Sequence, residues 1–156
     1  ETIRMLIQAL KYERIRSLDT WFAEALADYL RYFNIPLPAD ALIIPIPLHR
    51  RRLRMRGFNQ SELIARALGT RLDIRTAHDI LIKKSATMPQ ADLPRRERFA
   101  NIAGSFSLAE NAAKALHGKT VIILDDVKTT GATINEAARM LKKSGTRRVW
   151  AITVAY

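Results

Sequence analysis

Nine consecutive residues, Asp125-Asp126-Val127-Lys128-Thr129-Thr130-Gly131-Ala132-Thr133, concentrate the groups in this chain best suited to chemistry. Two adjacent carboxylates accept hydrogen bonds from vicinal hydroxyls. As hard oxygen donors they also help hold a magnesium ion, directly or through its water. The threonine hydroxyls and the unpaired amides of a helix start, at the positive end of its dipole, form a cradle for a phosphate monoester. Gly131 lets the backbone come close to the phosphate oxygens. Lys128 adds a cation that meets either phosphate or water. One loop can thus hold both ends of a ribose 5-phosphate, hydroxyls on the acids and phosphate in the cradle. Its spacing matches neither Gly-x-x-x-x-Gly-Lys nor Gly-x-Gly-x-x-Gly, so it is not a nucleotide P-loop or a dinucleotide turn. The plainer alternative is a strand–turn–helix in which Thr130 caps the helix and the aspartates are merely solvated.

The elements around this loop follow from its neighbours. Thr120 to Leu124 is a continuous apolar run, as expected of a parallel strand covered on both faces. It delivers Asp125 and Asp126 to the carboxyl end of a strand, where α/β sheets bind ligands. A helix starting near Gly131 turns Ile134, Ala137, Ala138 and Leu141 inward and ends at Gly145. Val149 to Ala155 makes the next strand. Upstream, Ala41 to Ile46 is a buried strand followed by a polar loop. Asn59 then N-caps a helix with Glu62 three residues on, and Gly69 stops it. Ile80 to Ile82 and Gly104 to Leu108 read as strands, and Asn111 to Leu116 as a weak helix.

Two helices lead the chain. Ile3, Leu6, Ile7 and Leu10 keep helical spacing, as do Leu18, Trp21, Phe22, Ala25, Leu26, Tyr29, Leu30 and Phe33 after the cap Ser17. The aromatic residues of the second helix are expected in the core rather than stacked on bases. Pro36 and Pro38 end helical structure. Lys83 to Ala103 lacks a sustained period, which marks either a functional loop over a site or a disordered insert. The order is α/β with a mainly parallel sheet.

The 156 residues suffice for one domain with a full core. Cysteine is absent, which excludes disulfides, thiolate catalysis and cysteine zinc sites within the chain. His49, His78 and His117 show no metal-ligand spacing. The 26 Lys and Arg against 15 Asp and Glu give a net charge of +11. Such a field favours polyanions: nucleic acid, phosphorylated metabolites or an anionic membrane face. The cations cluster at Arg50, Arg51, Arg52, Arg54 and Arg56, at Arg95, Arg96 and Arg98, and at Lys142, Lys143, Arg147 and Arg148. A solvated basic turn is the even-handed alternative for the first cluster.

The segment Val121 to Thr133 resembles the motif by which type I phosphoribosyltransferases bind ribose 5-phosphate 1-diphosphate (PRPP). A closer resemblance is to the ComF family. It rests on Ala9-Leu10-Lys11-Tyr12, Ile44-Pro45-Ile46-Pro47-Leu48, Arg56-Gly57-Phe58-Asn59-Gln60, and Gln90-Ala91-Asp92-Leu93 through Arg95, Arg98 and Asn101 to Gly104. These cover nearly the whole chain in the family's order. The resemblance implies a type I phosphoribosyltransferase fold over 1–156, with a helical lead-in over 1–38 and a flexible hood loop over 83–103. It implies PRPP with Mg2+ on the loop Asp125 to Thr133, both acids serving catalysis and the metal. Leu48 to Gln60 becomes the pyrophosphate-contacting loop, with Arg56 foremost, and Lys84, Gln90, Arg95 and Arg98 reach in from the hood. Phe58 is expected to be buried. The family further implies a competence role on incoming single-stranded DNA, with DNA-uptake proteins as partners, in the cytoplasm or at the inner face of the membrane. Arg50, Arg51, Arg52 and Arg54 are then the DNA contacts. A cysteine zinc ribbon commonly precedes this domain in the family, and this chain does not contain it. Whether turnover occurs stays open against two alternatives: a metabolic phosphoribosyltransferase acting on a base or small amine, and a PRPP-sensing module without turnover.

Overall fold

The structure is a computed structural model, and it describes residues 2–10, 17–84 and 102–156. Helices α1 (Thr2–Gln8) and α2 (Ser17–Tyr32) lead into strand β1 (Ala41–Pro45). Then come α3 (Arg50–Arg56), α4 (Gln60–Leu72), β2 (Leu81–Lys83), β3 (Phe106–Leu108) and α5 (Ala112–Leu116). Strand β4 (Thr120–Val127), helix α6 (Ala132–Lys143) and strand β5 (Arg148–Ala155) follow. The main sheet has the order β1-β4-β5 and is parallel throughout, with Ile44 opposite Ile123 and Leu124 opposite Ile152. Thr76 adds a parallel bridge to Ile43. β2 and β3 pair antiparallel as a separate ribbon, so the Ile80–Ile82 expectation was right about a strand and silent about its sheet.

Alternation along β4 divides the core into two layers. Val121 and Ile123 pack with Leu42, Ile44, Ile80, Phe106, Leu116, Ala137 and Leu141 on one face. Ile122 and Leu124 pack with Ile7, Phe22, Ile43, Phe58, Ile64 and Leu68 on the other. Burial on both faces explains the unbroken apolar run in this strand.

Three local expectations are corrected. The polar loop after β1 contains a two-turn helix, α3, with His49 at its N-cap accepting a hydrogen bond from the Arg51 N–H at 3.3 Å. Gly57, at φ 85°, closes it in the left-handed region that favours glycine. Gly69 does not stop α4, which runs on to Leu72 and closes at Asp73. Gly69 is there because a Cβ would lie 2.5 Å from Thr76 Oγ1 and 2.6 Å from the Ile74 carbonyl oxygen. In α2 only Phe22 among the aromatics reaches the core, beside Ala23, Ala27 and Leu30. Trp21, Tyr29 and Phe33 are exposed. Trp21 and Tyr29 line an apolar groove of about 600 Å³ against Trp150 and Ile152 of β5. Apolar spacing found the helix but gave too wide a buried stripe.

Candidate functional site

Asp125 and Asp126 lie in the carboxyl-terminal part of β4, just before its last residue Val127, and are each only 9% exposed, which excludes the solvated-acid alternative. Two neighbours fix Asp125. Its Oδ1 accepts the Ser61 hydroxyl at 3.2 Å and the Asp126 N–H at 3.0 Å. Ser61 lies in the first turn of α4, buried beside Gln60 and Asn59. Because β1 and β4 are parallel neighbours, the chain leaving β1 returns as α4 next to the end of β4. Asn59 holds that return: its Nδ2 donates to the Ile46 carbonyl at 2.9 Å rather than capping the helix with its side chain. Asn59 Oδ1 and Gln60 Nε2 are buried with no hydrogen-bond partner among the described residues. Unmade bonds of this kind are costly, and they mark polar groups facing a place a ligand could fill.

Beyond the acids, the Lys128 N–H donates to the Ala155 carbonyl at 2.8 Å, tying the loop to β5. Gly131 sits at φ 79° as the N-cap of α6. The Ala132 N–H is 3.4 Å from Thr130 Oγ1, so Thr130 does lean on the helix start. The amide-rich turn, the hydroxyls and the helix N-terminus therefore lie together, next to the acids.

The arginines of α3 separate by face. Arg52 and Arg56, one helical turn apart, are partly buried, and Arg56 donates to Gln60 Oε1 at 2.7 Å. Arg50, Arg51 and Arg54 are exposed, together with Leu53 and Met55. Phe58 is buried as expected. Of the residues expected on the hood, Lys84 is exposed, and Gln90, Arg95 and Arg98 lie outside the described residues. Lys83 is the lysine turned inward. It is partly buried, with its Nζ 5.4 Å from the Phe106 ring centroid. Its pKa is lowered to about 8, first by burial and then by Arg52, against the opposing pull of Asp125. Alternation along β2 could have found it, because Lys83 shares the face of buried Leu81. Ser61 carried no such signal in the sequence, since its contact with Asp125 spans 64 positions.

Glu136 of α6 is buried and receives Arg139 through both oxygens, at 2.8 and 2.6 Å, and the Gly104 N–H at 2.8 Å. The Arg139 hydrogen bonds hold its carboxyl below the usual glutamate range.

The phosphoribosyl transferase domain family matches residues 57–156, which takes in the acids, the turn and both flanking elements. Competence protein F of Haemophilus influenzae is 33% identical over 99% of this chain and 69% of its own length. The chain belongs to the ComF family of phosphoribosyltransferase-domain proteins. DNA utilization protein YhgH of Salmonella typhi is also 33% identical, over 96% of the chain and 66% of its own length. This ComF-family chain thus spans about two thirds of the length of these relatives. A hypoxanthine phosphoribosyltransferase from Staphylococcus aureus shares the fold at a TM-score of 0.51, with 13% identity over 88% of this chain and 62% of that one. The type I phosphoribosyltransferase fold read from the sequence is therefore the fold of this protein, and the ComF resemblance is membership.

Proposed function

We propose that this chain binds PRPP with Mg2+ at the carboxyl ends of β1 and β4, and that it serves a ComF-type role on incoming single-stranded DNA in the cytoplasm. One observation carries the ligand assignment: two buried carboxylates, one anchored by Ser61, stand directly before the Thr-Thr-Gly turn that opens α6. In this reading Asp125 and Asp126 take the ribose hydroxyls, and the turn from Lys128 to Thr133 takes the 5-phosphate. The donor chemistry fits magnesium. Mg2+ is commonly held by one or two carboxylates plus substrate phosphates rather than by a protein cage. Among the described residues no group of three or more His, Cys, Asp or Glu could form such a cage. Bound with the diphosphate, the ion supplies charge neutralisation. Arg56, on the inward face of α3, supplies a fork for diphosphate oxygens.

The names of the relatives, competence protein F and DNA utilization protein, support the DNA half of the proposal, as does the net charge of +11. Arg50, Arg51 and Arg54 present their charges outward and are the proposed strand contacts. Among the described residues no helix is long and apolar enough to cross a membrane. Isothermal calorimetry with PRPP and MgCl2 tests the ligand: a saturable signal is expected from the wild type. It should weaken by roughly a hundredfold or more in Asp125→Asn/Asp126→Asn, which removes charge-assisted hydrogen bonds. Undiminished binding by that variant would sink the assignment. Pyrophosphate release, measured with and without single-stranded DNA, decides whether binding is followed by phosphoribosyl transfer.

A further inference from the structure

We infer that a second surface, at the amino-terminal end of the parallel sheet and remote from the sugar-phosphate site, takes single-stranded nucleic acid. Bases stack on the aromatic rings at the end of α2, and phosphates lie on the cations around the starts of β4 and β5. The inference rests on the DNA half of the function proposed above. It adds to the arginines of α3 a further place and a mode of binding.

The rings come first. Tyr29, Tyr32 and Phe33, in and just after the last turn of α2, are exposed by 56%, 80% and 56%. The Phe33 ring lies 4.6 Å from that of Tyr29 and 4.9 Å from that of Tyr32, the latter edge-on at 84°. Rings in mutual contact are ordered before a ligand arrives, which lowers the cost of binding. The core does not use them, because α2 buries Phe22, Ala23, Ala27 and Leu30 instead. Stacking suits such a platform and is tolerant of sequence, since every base has a π-face.

Cations reach the same end through the register of the sheet. Ala41, Thr120 and Arg148 stand side by side at the starts of β1, β4 and β5. One residue earlier, Arg147 binds Asp40 at 2.9 Å, and its N–H donates to the Lys119 carbonyl at 2.9 Å. Lys142, near the end of α6, donates through Nζ to the Arg147 carbonyl at 2.8 Å, and Lys143 follows it. Alternation puts Arg148 on the face of Trp150, which lines one groove with Tyr29, Leu30 and Leu37. Aromatics and cations therefore adjoin. Of the acids at this end, Asp28 pairs with Arg31 and Asp40 with Arg147, and Asp73 shares a groove with Arg75, Lys114 and Lys119. Lys119, Lys143 and Arg148 are exposed and make no ion pair among the described residues.

The eight residues of β4 separate this end from the acids' end by about 26 Å, so PRPP and a strand bind without competing. An anionic membrane is the other polyanion that suits basic and aromatic groups. A membrane-bound helix lays an apolar stripe along its length. The rings here instead cluster at a helix end, followed by Asn34 and Pro36, which favours the strand.

Fluorescence anisotropy of the whole chain with labelled oligothymidylate, over a salt series, reads both parts. Tyr32→Ala/Phe33→Ala should weaken binding by roughly five- to a hundredfold, the range for one stacked base, with the salt slope unchanged. An abasic strand of equal length should bind that variant and the wild type alike. Lys119→Gln/Lys143→Gln/Arg148→Gln should lower the slope of log K against log salt by roughly 2, about 0.7 for each phosphate contact. PRPP should bind both variants as it binds the wild type. Oligothymidylate affinity unaltered in the aromatic variant, or a slope unaltered in the triple variant, overturns the inference while the DNA reading stands. So does binding to phosphatidylglycerol vesicles that the aromatic variant loses while it keeps the oligothymidylate. Should the double variant not fold, Tyr32→Ala takes its place under the same criteria. A wild-type chain that binds no strand at all removes the DNA reading itself, and this surface with it.

Discussion

Two donors converge on Asp125, since the Ser61 hydroxyl and the Asp126 amide both donate to its Oδ1. Removing the Ser61 hydroxyl leaves the carboxylate in place but takes away one of the two donors described on its Oδ1. Ser61→Ala is therefore expected to weaken PRPP by about fivefold, the value of one ordinary hydrogen bond near 1 kcal/mol, with little change in melting temperature. Equal affinity in the two proteins would show that Ser61 does not orient the acid. The acid pair and the Thr-Thr-Gly turn were legible in the sequence because their residue types and spacing are local. Ser61 was not, because it meets Asp125 only after the fold has brought segments 64 positions apart together. The strand was read over Ile80 to Ile82, one residue earlier than Leu81 to Lys83, so Lys83 was counted with the hood rather than with the strand. A strand's alternation makes a one-residue shift decide which side chain points inward.

At the scale of elements, two positions give tests independent of any ligand. Gly69 lies inside α4 against the backbone of Ile74. Gly69→Ala should gain about 1 kcal/mol of helix propensity. It should nevertheless lower stability in urea by about 1–3 kcal/mol, since a carbonyl oxygen cannot retreat from a new Cβ. A stabilised variant would contradict that packing. Glu136 ties α6 to Gly104, on the ribbon side of the site. Its carboxyl is held below the ordinary 4.5, chiefly by Arg139. A depressed carboxyl stabilises the fold above its unfolded pKa and loses that contribution as pH falls through the folded value. Glu136→Gln should thus melt roughly 2–4 °C lower at neutral pH. The gap to wild type should close as pH drops below about 4.5, and a gap independent of pH would exclude the ionic explanation. Helical spacing predicted α2, α4 and α6, but not Gly69 inside a helix, whose reason lies in a neighbouring segment. Nor did it show that Trp21, Tyr29 and Phe33 stay outside, because α2 has only one face covered.

For the whole molecule, the division of α3 into an inward and an outward face turns the net charge of +11 into a specific expectation. Single-stranded DNA binding should weaken steeply with salt. Arg50→Ala/Arg51→Ala/Arg54→Ala should reduce the slope of log K against log salt by roughly 2, about 0.7 for each lost phosphate contact, without altering PRPP affinity. An unchanged slope would move the DNA contacts elsewhere, to the cluster around Lys142, Lys143 and Arg148 in the first instance. Fold and family were both legible in the sequence, since the apolar runs, the Asp-Asp turn and the spaced motifs occur in order along the chain. The ligand proposed at the end of β4 is tested most directly by a crystal structure of the chain with PRPP and magnesium. The predicted result has the ribose hydroxyls on Asp125 and Asp126 and the 5-phosphate on the amides between Lys128 and Thr133. PRPP bound away from these residues, or no PRPP at saturating concentration, would contradict it.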